Sequence, residues 1–280
     1  AHKVIEECML LANISAAKIL SKSKLPSIYR IHPKPDILSI NQLQAFVRSR
    51  SINIKIRPEG LVEDFSNLIE LVADRKDREA IHMQILQSLN LAIYSAKLSE
   101  HFALSYSAYT HFTSPIRRYP DLMVHRAIKG LLSQNQSGKL KINEIKKTNL
   151  NVKKYPFKLE EIKKIADLSS TKEREAEGAS RNGLNTLKCE LALKHRQKSF
   201  QGNISGITNF GIFIHITDLG IEGLCHIKNL PKHDYYLFDE DSKSLIGKSS
   251  GQGYYLGDPV SARIKNVDVL SHRIDLDITR

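Results

Sequence analysis

The sequence predicts an α+β chain in two parts: a mixed region of helices and strands over residues 1–198, then an all-β five-stranded barrel over residues 199–280. Three observations carry that expectation. Apolar residues recur at helical spacing through most of the first part. From Phe200 the pattern changes to short β-branched runs punctuated by glycines. Charge divides at the same place: residues 199–280 hold eight basic and ten acidic side chains, a net of −2, so of the overall +12 the first 198 residues carry +14.

At 280 residues the chain has room for about two domains. Forty-two Lys and Arg against thirty Asp and Glu make a polyanion the leading partner class, and the basic surface belongs to residues 1–198. Cys8, Cys189 and Cys225 lie far apart with no C-x-x-C pair, so neither a zinc site nor a disulfide framework is expected, and a reducing cytoplasm fits. No apolar stretch approaches the roughly 20 residues of a membrane span and no signal peptide precedes the first helix, so a soluble chain without membrane contact is expected. The start at Ala1-His2-Lys3, already inside an amphipathic pattern, reads as a fragment or a processed piece.

Residues 4–20 place Val4, Ile5, Cys8, Leu11, Ala12, Ala16, Ile19 and Leu20 on one stripe of a helix, with Glu6, Glu7 and Asn13 as polar exceptions. Tyr29-Arg30-Ile31-His32 between prolines reads as a short strand and turn. His32 has no second ligand at metal spacing and reads as structural. A helix over Ile37–Arg50 follows, then a brief alternating strand over Ile52–Ile56, then helices over 62–75 and 79–98. The His101–Tyr109 run has strand-like chemistry, and Leu122–Leu132 returns to helical spacing. A polar linker at Ser133–Gly138 leads into a lysine-rich stretch with Lys139, Lys141, Lys146, Lys147, Lys153, Lys154, Lys158, Lys163 and Lys164, which is solvated or forms a salt-sensitive phosphate track. Residues 159–196 read as one long charged helix, in which Gly178 and Gly183 each cost about 1 kcal/mol.

Between these elements, His111-Phe112-Thr113-Ser114-Pro115-Ile116-Arg117-Arg118-Tyr119-Pro120-Asp121-Leu122 crowds hydroxyls, guanidiniums, aromatics and prolines together. Pro115 and Pro120 cannot both lie inside a regular helix, so a shaped loop running into a buried helix is expected. Such a loop suits a phosphate. Thr113 and Ser114 offer hydroxyls, the helix start offers N–H groups, and Arg117 can grip an anion bidentately without losing its charge. The plainer alternative makes Arg117 and Arg118 solvated charges and Tyr119 a core residue.

Taken from His101-Phe102 through Tyr109 and the Thr113–Asp121 run to His125-Arg126, this segment strongly resembles the signature of the RNB family of exoribonucleases, the ribonuclease R and ribonuclease II enzymes, and is closest to the ribonuclease R kind. The Glu6-Glu7-Cys8-Met9-Leu10-Leu11-Ala12-Asn13 run and the Tyr29–His32 strand resemble further signatures of the family. The resemblance implies that Arg117 stabilises the scissile phosphate and that Glu7 holds the terminal nucleotide in the active-site cavity. Arg118 and Tyr119 would shape the channel, and Tyr109 would either stack on a base or pack. The long helix resembles the family's closing helix, but Gly178, Asn182 and Gly183 stand where the family has helix formers or an acid, which leaves any role of Glu173, Glu175 or Glu177 open.

From Phe200 the runs Phe-x-Gly-x-Ile, Asn-Phe-Gly-Ile-Phe, Gly-Leu-x-His-Ile and Leu-Gly-Asp-x-Val closely resemble the S1 motif, an RNA-binding OB-fold. The resemblance places Phe210 and Phe213 as base-stacking aromatics, with His226, Asp268 and Arg273 beside them on the binding face. Gly211 leaves open whether both rings face the same way. Phosphodiester hydrolysis usually takes divalent metal held by carboxylates, Mg2+ in particular. By resemblance the family's aspartate cluster belongs upstream of Ala1. Here Asp36, Asp64, Asp74, Asp77, Asp121 and Asp167 are scattered, Asp275 and Asp277 alternate along the last strand, and no metal ligands are assigned.

The implied whole is a 3′-to-5′ exoribonuclease that releases nucleoside monophosphates from single-stranded RNA, completed by an N-terminal RNB half in the same or another chain. Two other readings stand beside it. One is a non-catalytic RNA-binding protein; the other is a generic binding module that uses only residues 199–280.

Overall fold

A computed structural model describes residues 1–75, 77–133, 155–230 and 234–279. Its elements in chain order are α1 (His2–Ser23), β1 (Tyr29–Ile31), α2 (Ile37–Ser49), α3 (Val62–Leu71), α4 (Arg78–Ser88), β2 (Ile93–Ser95), α5 (Tyr119–Leu132), α6 (Leu159–Lys194), β3 (Ser199–Thr208), β4 (Gly211–Ile216), β5 (Ile221–His226), β6 (Tyr236–Asp239), β7 (Ser244–Gly247), β8 (Gly253–Tyr255), β9 (Pro259–Asp268) and β10 (Arg273–Thr279). They form two compact units, one of Ala1–Lys34 with Asn90–Ala176, the other of Pro35–Leu89 with Glu177–Arg280.

In the first unit, Ala16, Ala17 and Leu20 of α1 join Met123, Val124, Ala127 and Leu131 of α5 and Ile162 and Ala166 of α6 in a single apolar cluster. β1 and β2 pair antiparallel beside it, Arg30 opposite Tyr94. Only the second half of the predicted α1 stripe is buried. Val4, Ile5 and Leu11 are 67, 58 and 61% exposed, because nothing among the described residues covers the first three turns.

Three sequence expectations give way to tertiary pairing. The segment Ile52–Ile56 forms no strand: the Gln44 side chain donates to the Ile54 carbonyl and accepts from the Ile56 N–H, filling the places a neighbouring strand would take. The helix expected over 79–98 stops at Ser88, and Ile93–Ser95 pairs with β1 instead. The His101–Tyr109 run is a 3₁₀ turn at Phe102–Leu104 flanked by single bridges rather than a strand. α6 runs without a break through Gly178 and Gly183, where nothing lies within reach of an added Cβ. Its ends are held by buried Ile162 and Ala166 on one side and Cys189 and Ala192 on the other, which offsets the glycines. The linker from residue 134 and the lysines from Lys139 to Lys154 lie outside the described residues.

In the second unit, β3, β4, β5, β9 and β10 close into a five-stranded barrel in the order β10-β5-β4-β3-β9, the barrel expected of an OB-fold. Ile204, Ile212, Ile214, Cys225, Ala262, Ile264 and Leu276 fill its interior on alternating positions. Bulges in β3 at Ser205 and in β9 at Lys265, opposite Asp275/Leu276, supply the bends that closure needs. The sequence reading had no counterpart for β6, β7 and β8, a three-stranded antiparallel meander inserted between β5 and β9.

Candidate functional site

The Thr110–Arg118 loop is fastened from several sides. Thr110 is buried and its hydroxyl donates to the Ile28 carbonyl. The Phe112 N–H donates to Asn13 Oδ1 at 2.9 Å, the ring stacks on His125 at 4.1 Å, and His125 Nε2 donates to the Phe112 carbonyl at 2.8 Å. The N–H groups of Arg117 and Arg118 both turn back to the Ser114 carbonyl. Pro120 sits in the first turn of α5, where its missing N–H costs nothing, so the helix begins three residues earlier than the apolar periodicity indicates.

Asp121, fully buried in that first turn, is the acceptor for both ends of the loop. Its Oδ1 takes the Ser114 N–H and Arg118 Nη2, each at 2.8 Å. The N-terminal end of a helix favours a carboxylate there. Nearby, Arg30 Nη1 meets Glu173 Oε2 at 2.5 Å, and the Arg30 guanidinium lies 4.6 Å over the Tyr94 ring. The Tyr94 hydroxyl shares a 2.8 Å hydrogen bond with His111 Nδ1. Burial pushes the Tyr94 phenol up to about 12, and burial, with Arg118 and Arg30 adding to it, holds His111 down to about 3, so both stay uncharged at neutral pH.

Beside them lies a recess of about 500 Å³ lined by Tyr94, Arg117, Arg118, Tyr119, Leu168 and Glu173 among others. Its charges are mostly answered: Arg118 by Asp121, Glu173 by Arg30, and Lys172 on the rim by Glu175. Arg117 is exposed and has no acidic partner among the described residues. A recess with one unanswered guanidinium and a half-exposed tyrosine suits a phosphate next to a flat ring.

Of the residues anticipated here, Arg117, Arg118 and Tyr119 come together, with Thr113 and Ser114 in the same loop. Two do not join them. Glu7 lies on the exposed first half of α1, outside the lining of the recess. Tyr109 is only 5% exposed, its hydroxyl accepts from Asn13 Nδ2 at 2.9 Å, and its ring is surrounded by Tyr106, His101 and His111, so it packs in the core. Arg30, Tyr94 and Asp121 were not anticipated in the site. Arg30 and Tyr94 are far from the loop in sequence and only the β1–β2 register brings them together, whereas Asp121, one turn from Arg118, carried an i,i+3 pairing signal.

The barrel carries a second recess, about 530 Å³, lined by Phe210, Phe213, Arg273, Asp275 and, from α6, Asn185 and Lys188. Phe210 and Phe213 meet edge to face, centroids 6.1 Å apart, so both rings line the same recess despite the intervening Gly211. Arg273 lines it too. His226 caps the following turn by accepting from the Lys228 N–H, and Asp268 accepts from the N–H groups of Leu270 and Ser271 and from the Ser271 hydroxyl, which pulls its carboxyl below the usual range; neither lines the recess.

Among the described residues no group of three or more His, Cys, Asp or Glu is placed to hold a metal ion. Four of the aspartates are occupied elsewhere: Asp36 caps α2, Asp64 binds Arg57, Asp77 binds Arg75 and Asp121 binds Arg118. Among the described residues the carboxylates therefore do not gather into a magnesium cluster. Among the described residues no helix is long and apolar enough to cross a membrane.

Family models match the chain in two places, the RNB domain over residues 1–134 and the S1 RNA binding domain over residues 196–279. Ribonuclease R of Escherichia coli (strain K12) is 40% identical over 278 residues, which is 99% of this chain and 33% of that protein. Ribonuclease R of Thermotoga maritima is 37% identical over 98% of this chain and 37% of its own length. The structure of Mycoplasma genitalium RNase R in complex with ribose methylated single-stranded RNA matches with a TM-score of 0.82 and 29% identity, covering 98% of this chain and 41% of the other. The chain thus spans about a third of the length of the curated relatives it matches.

Proposed function

We propose that this chain, which matches an RNB domain over residues 1–134 and an S1 RNA binding domain over residues 196–279 and aligns with ribonuclease R over 99% of its length, grips and guides RNA for a cytoplasmic ribonuclease R-type 3′-to-5′ exoribonuclease that hydrolyses single-stranded RNA to nucleoside monophosphates. The observation that carries the reading is the recess in which Arg117 is the exposed guanidinium without an acidic partner among the described residues. Arg117 binds the phosphate nearest the cleaved bond, Thr113 and Ser114 add hydroxyl contacts, and Tyr119 bounds the recess on its exposed side. Residues 199–280 act as the stacking guide, with Phe210, Phe213 and Arg273 on the strand.

Magnesium, in this reading, is held by aspartates of an N-terminal RNB half, since Asp64, Asp77 and Asp121 are committed to arginines and Asp36 to a helix cap. That half covers the exposed apolar turns of α1 around Val4, Ile5 and Leu11, and brings Glu7 to the terminal nucleotide.

The test is to incubate the chain with 5′-labelled single-stranded RNA and Mg2+, alone and with an RNB half that carries the aspartate cluster, following binding and shortening together. Shortening only in the mixture, abolished by Arg117→Ala, is the expected result. Binding without shortening in either tube identifies a non-catalytic RNA-binding protein instead, and shortening by the chain alone means that the metal ligands lie within it.

A further inference from the structure

The two adjacent arginines of the loop face different surroundings. Arg117 is exposed and unpaired among the described residues; Arg118, with 21% of its side chain exposed, is bonded at 2.8 Å to a carboxylate that is itself fully buried. The same Asp121 oxygen holds the Ser114 N–H, so one buried charge anchors the start of the turn and the second guanidinium together. A buried charge bonded to a guanidinium lowers the net charge that the guanidinium presents to a ligand, and it resists separation because the carboxylate would be left uncompensated.

We propose that Asp121 is a positioning residue that divides the labour of the arginine pair: it neutralises Arg118 and fixes the turn, so that Arg117 alone supplies the phosphate-binding charge at this end of the recess. The proposal rests on the phosphate-binding reading of the recess given above. It gives the buried carboxylate a selective purpose. Two free guanidiniums side by side would hold any two neighbouring phosphates and let the strand settle in more than one register, whereas one free guanidinium beside a neutralised neighbour defines a single phosphate position.

The experiment is the salt dependence of the full chain's affinity for 5′-labelled single-stranded RNA, measured by fluorescence anisotropy. Each phosphate neutralised on a single strand contributes about 0.7 to the slope of log K against log[salt]. Arg117→Ala makes the slope shallower by about 0.7; no change there overturns the reading of the recess itself. Asp121→Asn keeps an oxygen for the Ser114 N–H but releases the Arg118 charge, so the slope steepens by up to about 0.7, and Asp121→Asn with Arg118→Gln returns it to the wild-type value. A merely structural aspartate lowers the active fraction without moving the slope. If Arg117→Ala behaves as stated while folded Asp121→Asn leaves the slope unchanged, the division of labour is wrong and the recess reading stands. Should Asp121→Asn fail to fold, phenylglyoxal modification of the wild-type chain, mapped by mass spectrometry with and without RNA, decides the matter: RNA-sensitive labelling at Arg117 with Arg118 unreactive supports the proposal, and equal RNA-protected labelling of both overturns it.

Discussion

Replacing Tyr109 by phenylalanine removes one oxygen from a place where the fold has nothing else to offer. Asn13, 4% exposed, donates its amide to that hydroxyl at 2.9 Å while its carbonyl oxygen takes the Phe112 N–H, so a single side chain of α1 ties down both Tyr109 and the loop. Without the hydroxyl a buried amide donor is stranded, which costs about 1–3 kcal/mol. The ring contacts with Tyr106, His101 and His111 survive in phenylalanine, so packing loss adds little. Asn13→Ala strands two partners and costs more; because the residues touch, the double variant falls short of the sum by about 0.5–3 kcal/mol. Urea denaturation at matched m-values measures all three, and anisotropy measures RNA affinity in parallel. The expected pattern is lower stability with unchanged RNA affinity of the folded Tyr109→Phe protein. Wild-type stability together with weakened RNA binding would refute the core assignment and return Tyr109 to the RNA surface.

Acid should destabilise the first unit in a defined window. His101 and His111 are held down to about 4 and about 3, chiefly by burial, against an ordinary value of 6.5, so below pH 6.5 the unfolded chain takes up protons that the folded one refuses; the stability is intact above 6.5 and is lost as the pH falls toward 4 and 3, at roughly 1.4 kcal/mol per pH unit for each histidine. A flat denaturation midpoint from pH 7 to 5 would contradict this. In the barrel, Phe210→Ala should weaken single-stranded RNA binding by about 1–3 kcal/mol if the ring carries one stacked base, with titration of the full chain as the measurement. Gly223→Ala would place a Cβ 2.7 Å from Leu276 Cγ and 2.8 Å from the Ile274 carbonyl, at the β5–β10 closure, and should lower stability by about 1–3 kcal/mol in thermal melts; a wild-type melt would show that the closure is loose.

The parts most legible in the sequence are those whose signal is local. Five glycine-punctuated strands were readable because each strand announces itself by alternation and each bend by a glycine, and the Arg117 loop was readable because prolines, hydroxyls and guanidiniums crowd into a dozen residues. Long helices followed from apolar spacing, and α6 kept its length across two glycines. The errors came where a distant partner outbid a local preference. The helix expected to continue to residue 98 ends at Ser88 because Ile93–Ser95 gains a strand partner in β1, and Ile52–Ile56 stays unpaired because Gln44 already occupies its backbone. The β6–β8 meander was missed although its alternation and its Asp239–Lys243 turn are present in the sequence.

By itself, then, the sequence determined a basic first part, a loop crowded with guanidiniums, hydroxyls and prolines, a five-stranded barrel and the family signatures that join them. Tertiary structure alone decided which of those residues are free to act. Arg117 and Arg118 are indistinguishable as letters, yet a fully buried Asp121 claims one and leaves the other exposed. Tyr109 and Tyr119 are both tyrosines of the same segment, one 5% and the other 51% exposed. Burial and partnership depend on residues brought in from positions 13, 30, 94 and 173, and a charge or a ring has its chemistry set by what surrounds it.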